Sequence, residues 1–131
     1  MNIGLVAHNS KKELMQNFCI AYSNLLAKHT LYATGSTGAC IEDVTNLEIH
    51  KFVPGHLGGV KQLASEIECN VLDAVIFLRD PDSLLDDDPD CSSVFRLCDA
   101  NNIPLATNVA TAEIIILAID RGDLDWRNAY K

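Results

Sequence analysis

The sequence lacks the features that would direct a chain to nucleic acid, to a membrane or to a disulfide-bonded scaffold. Its ten basic residues form no cluster and the formal net charge is −8, so a nucleic-acid surface is not expected. The longest apolar stretch near the end, residues 110–119, contains Glu113 and is too short to span a bilayer. The five cysteines are odd in number and include no Cys-x-x-Cys pair, which argues against a disulfide framework and a zinc site.

The amino-terminal segment also lacks the basic region of a secretory leader. Residues 2–8 form an apolar run that is typical of a strand buried on both faces. Together with the cysteine usage, this predicts a cytoplasmic protein with reduced thiols. The length of 131 residues, without repeats, linkers or low-complexity segments, predicts a single domain over residues 1–131.

Strand-like and helix-like segments alternate along the whole chain. The predicted strands cover residues 2–8, 30–33, 48–53, 74–78 and 103–106. The predicted helices cover residues 11–28, 37–44, 59–68, 91–101 and 108–121. This alternation predicts an α/β fold, a Rossmann-like three-layer sandwich with a five-stranded, mainly parallel sheet flanked by helices. In such sheets ligands bind beyond the carboxyl ends of the strands.

The strongest local signal is the segment Ala33-Thr34-Gly35-Ser36-Thr37-Gly38, which follows one predicted strand and opens a helix. Glycines let a backbone approach an oxyanion, and N–H groups at a helix start point toward it. Three hydroxyl side chains add donors, so the segment is a candidate phosphate site. The alternative is a capped turn without a ligand, because serine and threonine are ordinary helix N-caps. The spacing matches neither a P-loop nor Gly-x-Gly-x-x-Gly.

Further candidates follow other strands at the same edge. Residues 54–59 form a second glycine-rich turn, and Lys12 is a candidate phosphate cation, with a solvated surface lysine as the alternative. His8 follows the first strand and Asp80 follows the fourth, where functional groups of α/β folds commonly lie. The loop of residues 79–90 carries six aspartates. It is either a solvated loop or a site that binds a hard cation or holds a proton at raised pKa.

Several blocks in order along the chain resemble methylglyoxal synthases. They are Leu5-Val-Ala-His8, Leu31-Tyr-Ala-Thr-Gly-Ser-Thr-Gly38, Leu57-Gly-Gly59, Val75-Ile-Phe77 with Asp80-Pro81, Asp88-Pro-Asp90, Arg96-Leu97, and Asn102-Ile-Pro-Leu-Ala-Thr-Asn-Val-Ala-Thr-Ala112. The resemblance implies a homohexamer with active sites near subunit boundaries. It also implies conversion of dihydroxyacetone phosphate to methylglyoxal and phosphate, without a metal or an organic cofactor.

Carried over by position, the resemblance assigns most of a phosphate pocket. The phosphate-binding residues are then Lys12, Thr34, Gly35, Ser36, Thr37, Gly38 and Gly55, with Pro54 in place of one phosphate-facing serine. The polar active-site positions are His8, Asp80 and Asp90. Further pocket positions are His56, Gly58, Gly59, Val60 and Asp87. An arginine often completes the family's site, and the candidates are Arg79, Arg96, Arg121 and Arg127.

The proton-transfer residues of the family are changed. Val60 replaces the aspartate that moves substrate protons, Asp87 replaces a histidine that contacts the substrate carbonyl, and Asn9 replaces another aspartate. Valine cannot accept a proton, and a carboxylate opposes the charge of an enediolate. The sequence therefore predicts a catalytically altered or inactive homologue that binds a phosphorylated metabolite or nucleotide as a sensor, regulator or sequestering protein. The alternatives are an active methylglyoxal synthase with Asp80 or Asp90 as base, and a different lyase, isomerase or phosphohydrolase reaction on the same scaffold, for which the acidic loop could hold a metal.

Overall fold

The strands form one parallel sheet in this computed structural model, which describes residues 1–83 and 91–130. Over these residues the strands are β1 (Asn2–Ala7), β2 (Thr30–Ala33), β3 (Ile49–Lys51), β4 (Ala74–Leu78) and β5 (Leu105–Ala106). Their order across the sheet is β3-β2-β1-β4-β5, and each neighbouring pair is parallel. The predicted α/β fold with a five-stranded parallel sheet between helices is confirmed.

The helices are α1 (Lys12–Ala21), α2 (Ser23–Leu26), α3 (Gly35–Glu42), α4 (Gly59–Glu68), α5 (Ser92–Ala100) and α6 (Val109–Asp120). The single helix predicted over residues 11–28 is wrong, because the chain leaves helical geometry at Tyr22 (φ −111°, ψ 20°). Short 3-10 helices cover Asn9–Lys11, Gly55–Leu57 and Asp125–Tyr130, and the last has no counterpart in the prediction. No helix in the described part is long and apolar enough to cross a membrane.

Each central strand contributes side chains to two separate apolar clusters. Leu5 of β1 and Ile76 of β4 pack in a cluster with residues of α1, α3 and α6. Val6 and Phe77, which are the next residues along the same strands, pack in a cluster with residues of α4 and α5. A strand that is covered on both faces must be apolar at every position, which explains the unbroken apolar runs in the sequence.

A buried ion pair ties the carboxyl-terminal 3-10 helix to the amino-end edge of the sheet. Arg127 Nε donates to Asp73 Oδ1 at 3.3 Å, and both side chains are buried. The other carboxylate oxygen of Asp73 accepts from the backbone N–H of Asn2 at 2.8 Å. The Arg127 guanidinium also donates to the carbonyls of Leu72 (3.2 Å) and Asn102 (3.0 Å). The network therefore joins the starts of β1 and β4 to the end of the chain.

Arg127→Met is expected to lower the free energy of unfolding by about 3–5 kcal/mol, because it removes the guanidinium charge that pairs with the buried Asp73 carboxylate. Urea denaturation measures this loss. Arg121→Met is the matched control, since the Arg121–Asp123 pair is exposed and such pairs contribute at most about 1 kcal/mol. An equal loss in the two variants would contradict the structural role of the buried pair.

A candidate ligand site at the switch point of the sheet

The strand order reverses at β1, and such a switch point is where open α/β sheets form a crevice, here at the carboxyl ends of β1 and β4. From β1 the chain adds β2 and β3 on one side of the sheet and then β4 and β5 on the other. Ala7 pairs with Leu78, so the loops that begin at His8 and Arg79 start side by side. Open α/β sheets bind their ligands in such a crevice. The topology therefore selects the loops after β1 and β4 as the centre of the site.

A hydrogen bond across this crevice fixes the ring of His8. The backbone N–H of Asp80 donates to His8 Nδ1 at 2.9 Å. Because Nδ1 is the acceptor, a neutral His8 carries its proton on Nε2. The ring also packs edge-on against Phe77, with 5.5 Å between the ring centroids. The end of β4 thus sets both the orientation and the tautomer of the histidine that follows β1.

The Asp80 carboxylate receives one hydrogen bond on each oxygen. Ser10 Oγ donates to Oδ2 at 2.7 Å, and the backbone N–H of Asp82 donates to Oδ1 at 2.9 Å. These two hydrogen bonds, the one from Ser10 first, lower the pKa of Asp80 below its usual value. Asp80 is therefore ionised at neutral pH and is held as an acceptor. Sequence reasoning missed Ser10 as a site residue, because a serine in a turn belongs to no recognisable pattern.

The predicted phosphate segment forms the start of α3, but its two threonines bond inside the protein. Thr37 Oγ1 accepts from the Ala7 backbone N–H at 3.1 Å and from the Thr34 hydroxyl at 3.2 Å, and both side chains are 1% exposed. Ser36, in contrast, is partly exposed in the first turn. The first-turn N–H groups of Ser36 and Thr37 have no acceptor within the helix. They, with the Ser36 hydroxyl, are the donors that this turn offers to an anion.

Two glycines of the predicted pocket are required by close backbone packing. A Cβ on Gly35 would lie 2.7 Å from the Phe52 carbonyl oxygen, and a Cβ on Gly59 would lie 2.0 Å from the Val53 carbonyl oxygen. The Gly35 N–H itself donates to the Val53 carbonyl at 3.1 Å. Both glycine-rich turns therefore pack against the same short segment after β3. These glycines have a structural cause that is independent of any ligand.

Lys12 and Val60 both lie near the carboxyl edge of the sheet, but on different faces of it, and their surroundings differ. Lys12 begins α1, and its Nζ donates to Asn9 Oδ1 at 2.8 Å in the turn after His8. Val60 is in the first turn of α4, directly after Gly59, and is 7% exposed within the apolar cluster beneath α4 and α5. Gly55 opens the 3-10 helix that precedes α4, and the intervening Gly58 adopts φ 110°.

The arginines that were candidates to complete the phosphate site lie at different places in the fold. Arg127 is committed to the buried pair with Asp73, and Arg121 forms an exposed pair with Asp123 after α6. Arg79 follows β4 at the crevice, and its guanidinium carbon lies 5.5 Å from the centre of the Phe95 ring. Of these three, Arg79 is the one that lies beside Asp80.

Three predicted positions lie outside the described part of the chain: Asp87, Asp90 and the side chain of His56. Residues 84–90, the part of the acidic loop for which a metal-dependent reaction was an alternative, also lie outside the described part. Over residues 1–83 and 91–130, no three His, Cys, Asp or Glu side chains are grouped to hold a metal ion. The roles of these positions stay predictions.

Two cavities of the described part lie at the opposite, amino-end edge of the sheet. One, of about 340 Å³, is lined by residues of α1, α2 and residues 44–47, and the other, of about 320 Å³, is lined by residues 27–31 and 46–50. Their linings contain none of the predicted site residues. We place the candidate site at the carboxyl edge because the polar groups that converge there include backbone donors, a histidine and a carboxylate, in the position that the sheet topology favours.

Comparison with known proteins identifies the family. The model of the MGS-like domain matches residues 15–107. A methylglyoxal synthase of Caldicellulosiruptor saccharolyticus is 59% identical over 127 residues, which cover 97% of this chain and 90% of that protein. The chain belongs to the methylglyoxal synthase family. The resemblance seen in its sequence blocks is thereby confirmed.

Other members of the methylglyoxal synthase family agree with this placement. A methylglyoxal synthase of Alkaliphilus metalliredigens is 52% identical over 131 residues, which cover all of this chain and 98% of that protein. The crystal structure of a methylglyoxal synthase from Elizabethkingia anophelis superposes with a TM-score of 0.85 at 39% identity. That match covers 88% of this chain and 76% of the other. The fold is therefore that of the family over most of the chain.

Thr37→Val is expected to lower the free energy of unfolding by about 1–3 kcal/mol, because it leaves the buried N–H of Ala7 without its acceptor. Thermal and urea unfolding measure the loss. Thr37→Ser keeps the oxygen and is the control, for which we expect a smaller loss from the removed methyl group. A variant as stable as the parent chain would show that the Thr37 hydroxyl does not hold α3 to β1.

Proposed function

We propose that this chain binds dihydroxyacetone phosphate in the crevice and converts it to methylglyoxal and phosphate. The observation that carries the proposal is the pairing of His8 with Asp80 across the switch point, beside the start of α3, whose first-turn N–H groups lack acceptors within the helix. Relatives that match nearly the whole chain are methylglyoxal synthases, which supports this activity over the sensor or sequestering role predicted from the sequence.

The phosphate group would bind at the start of α3. The first-turn N–H groups of Ser36 and Thr37 supply donors there, and the positive end of the helix dipole favours an anion. Lys12, at the start of the neighbouring α1, supplies a cation, and within the described residues its Nζ is bonded to the neutral Asn9 amide and to no carboxylate. In a chain of net charge −8, such a local cation is needed to attract a dianion.

The reaction requires a base that removes a proton from the hydroxymethyl carbon next to the carbonyl. We assign this role to Asp80, because its carboxylate is ionised and lies at the crevice. The enediolate oxygen would accept from His8 Nε2, which carries the ring proton in the neutral form. As the enediolate collapses to a carbonyl, its electron pair expels phosphate and the carbon–oxygen bond to phosphate breaks. The released enol then tautomerises to methylglyoxal, with a proton added at its methylene carbon and the hydroxyl proton lost. A carboxylate of lowered pKa is a weak base, so we expect slow turnover.

A second function, binding of the phosphate ester without turnover, is favoured by Val60. This residue stands where the family carries its proton-transfer aspartate, and its side chain packs in the apolar cluster under α4. A positioned base supplies about 10²–10⁴ in rate, so its loss leaves the reaction dependent on Asp80 alone. In that case the phosphate subsite remains and the product does not form.

The two functions are separated by incubating the purified chain with dihydroxyacetone phosphate while methylglyoxal and phosphate are measured. Release of both products in equal amounts, abolished in Asp80→Asn, is the result expected for the lyase. Saturable binding of the ester by calorimetry without product would identify the binding function instead. Absence of both binding and product would contradict the site itself.

Lys12→Ala is expected to weaken the affinity for inorganic phosphate by about 1–3 kcal/mol, because a charge-assisted hydrogen bond is lost. Isothermal titration calorimetry measures the change. Lys28→Ala is the matched control, since Lys28 forms an exposed pair with Asp120 at the opposite edge of the sheet. The same affinity in both variants would place the phosphate subsite elsewhere.

Val60→Asp combined with Asp87→His is expected to raise the rate of methylglyoxal formation by about 10²–10⁴, because a positioned general base and a neutral donor are restored. The initial rate of methylglyoxal release measures the gain. Val60→Asn with Asp87→His is the control, as it has a polar side chain of similar size that cannot act as the base. An equal rate in the two double variants would show that position 60 does not limit proton transfer.

A further inference from the structure

Ser10 connects the two loops that border the crevice, although it lies outside the sequence blocks of this chain that resemble the family. It is the central residue of the 3-10 helix Asn9–Lys11, which the Lys11 N–H closes by donating to the His8 carbonyl at 2.8 Å. From this turn the Ser10 hydroxyl reaches Asp80, which lies 70 residues further along the chain. A rigid turn after β1 therefore holds a carboxylate that follows β4.

The contact orders the carboxylate in a defined way. Ser10 occupies one lone pair of Oδ2, and the Asp82 N–H occupies one of Oδ1. Each carboxylate oxygen can accept two hydrogen bonds, so each keeps one direction available for a ligand. Rotation of the carboxylate would break both bonds, and Ser10 is the one of the two donors that a substitution can remove.

The positive charge near Asp80 favours its ionised carboxylate, as the hydrogen bond from Ser10 also does. Lys11, on the loop after β1, favours the ionised carboxylate. In its own segment Asp80 is flanked by Arg79 and lies two residues from Asp82. The Ser10 hydrogen bond differs from these neighbouring charges because it fixes the orientation of the Asp80 carboxylate and also favours its ionised form.

We propose that Ser10 is a positioning residue that aims the Asp80 carboxylate at the hydroxymethyl end of the bound phosphate ester. The inference rests on the proposed function for the identity of the ligand. The loop after β1 would thus contribute two groups of different kinds to one crevice. His8 faces the developing oxyanion, and Ser10 controls the acceptor that receives the proton or the ligand hydroxyl.

The experiment compares Ser10→Ala with the parent chain by three measurements. The first is the titration of the Asp80 carboxyl carbon, followed by NMR without ligand, which should move to higher pH because a bond to the ionised form is lost. The second is calorimetry, in which affinity for dihydroxyacetone phosphate should fall about tenfold and affinity for inorganic phosphate should stay unchanged. The third is the pH profile of turnover, whose acid limb should move to higher pH.

Two further variants control for indirect effects. Ser10→Thr keeps the hydroxyl and should restore the titration of Asp80 and the ligand affinity. Ser65→Ala makes the same chemical change at an exposed position of α4 and should leave all three measurements as in the parent chain. An unmoved Asp80 titration in Ser10→Ala, or an equal loss of affinity for the ester and for inorganic phosphate, would overturn the proposal. Failure of the parent chain to release methylglyoxal would instead reject the lyase function, while the titration and the two affinities still decide the role of Ser10.

Discussion

The parallel pairing of β1 with β4 is the constraint on which the candidate site depends. Its register places Ala7 opposite Leu78, so that one further residue brings His8 and Arg79 to the same edge. The backbone N–H of Asp80 then fixes the histidine ring. Because this pair of strands is also the switch point of the sheet, the crevice lies where an α/β fold can admit a ligand between loops without opening its core.

The two edges of the sheet are stabilised in different ways. At the amino-end edge, Arg127 and Asp73 form a buried network that closes the fold with the last residues of the chain. At the carboxyl edge, Thr37 bonds the start of α3 to the end of β1. The loops of the candidate site are therefore built on a frame that is fixed from both ends, and the groups that we propose for a ligand, Ser36 and Lys12, are only partly buried.

The proposed phosphate binding and the proposed proton transfer would depend on different elements of the candidate site. The donors that we propose for an anion lie on α1 and α3, whereas the sequence resemblance assigns the family's proton-transfer aspartate to a position at the start of α4. Val60 occupies that position here and contributes to the apolar cluster. Under the proposed function, the chemistry of the chain would therefore depend on Asp80 and on the serine that holds it.

The alternation of strands and helices followed from the sequence, because hydrophobic period and glycine-rich turns are local signals, and this alternation indicated the edge of the sheet at which the candidate site lies. The family followed from the blocks of sequence that resemble methylglyoxal synthases. The sequence did not reveal that Thr34 and Thr37 bond internally, that Arg127 closes the opposite edge, or that Ser10 holds Asp80. Except for the local Thr34–Thr37 bond, these contacts join residues that are separated by 30, 54 and 70 positions along the chain. Only the packed sheet brings them within hydrogen-bond distance, and so the tertiary structure alone decided which polar side chains serve the fold and which face the crevice.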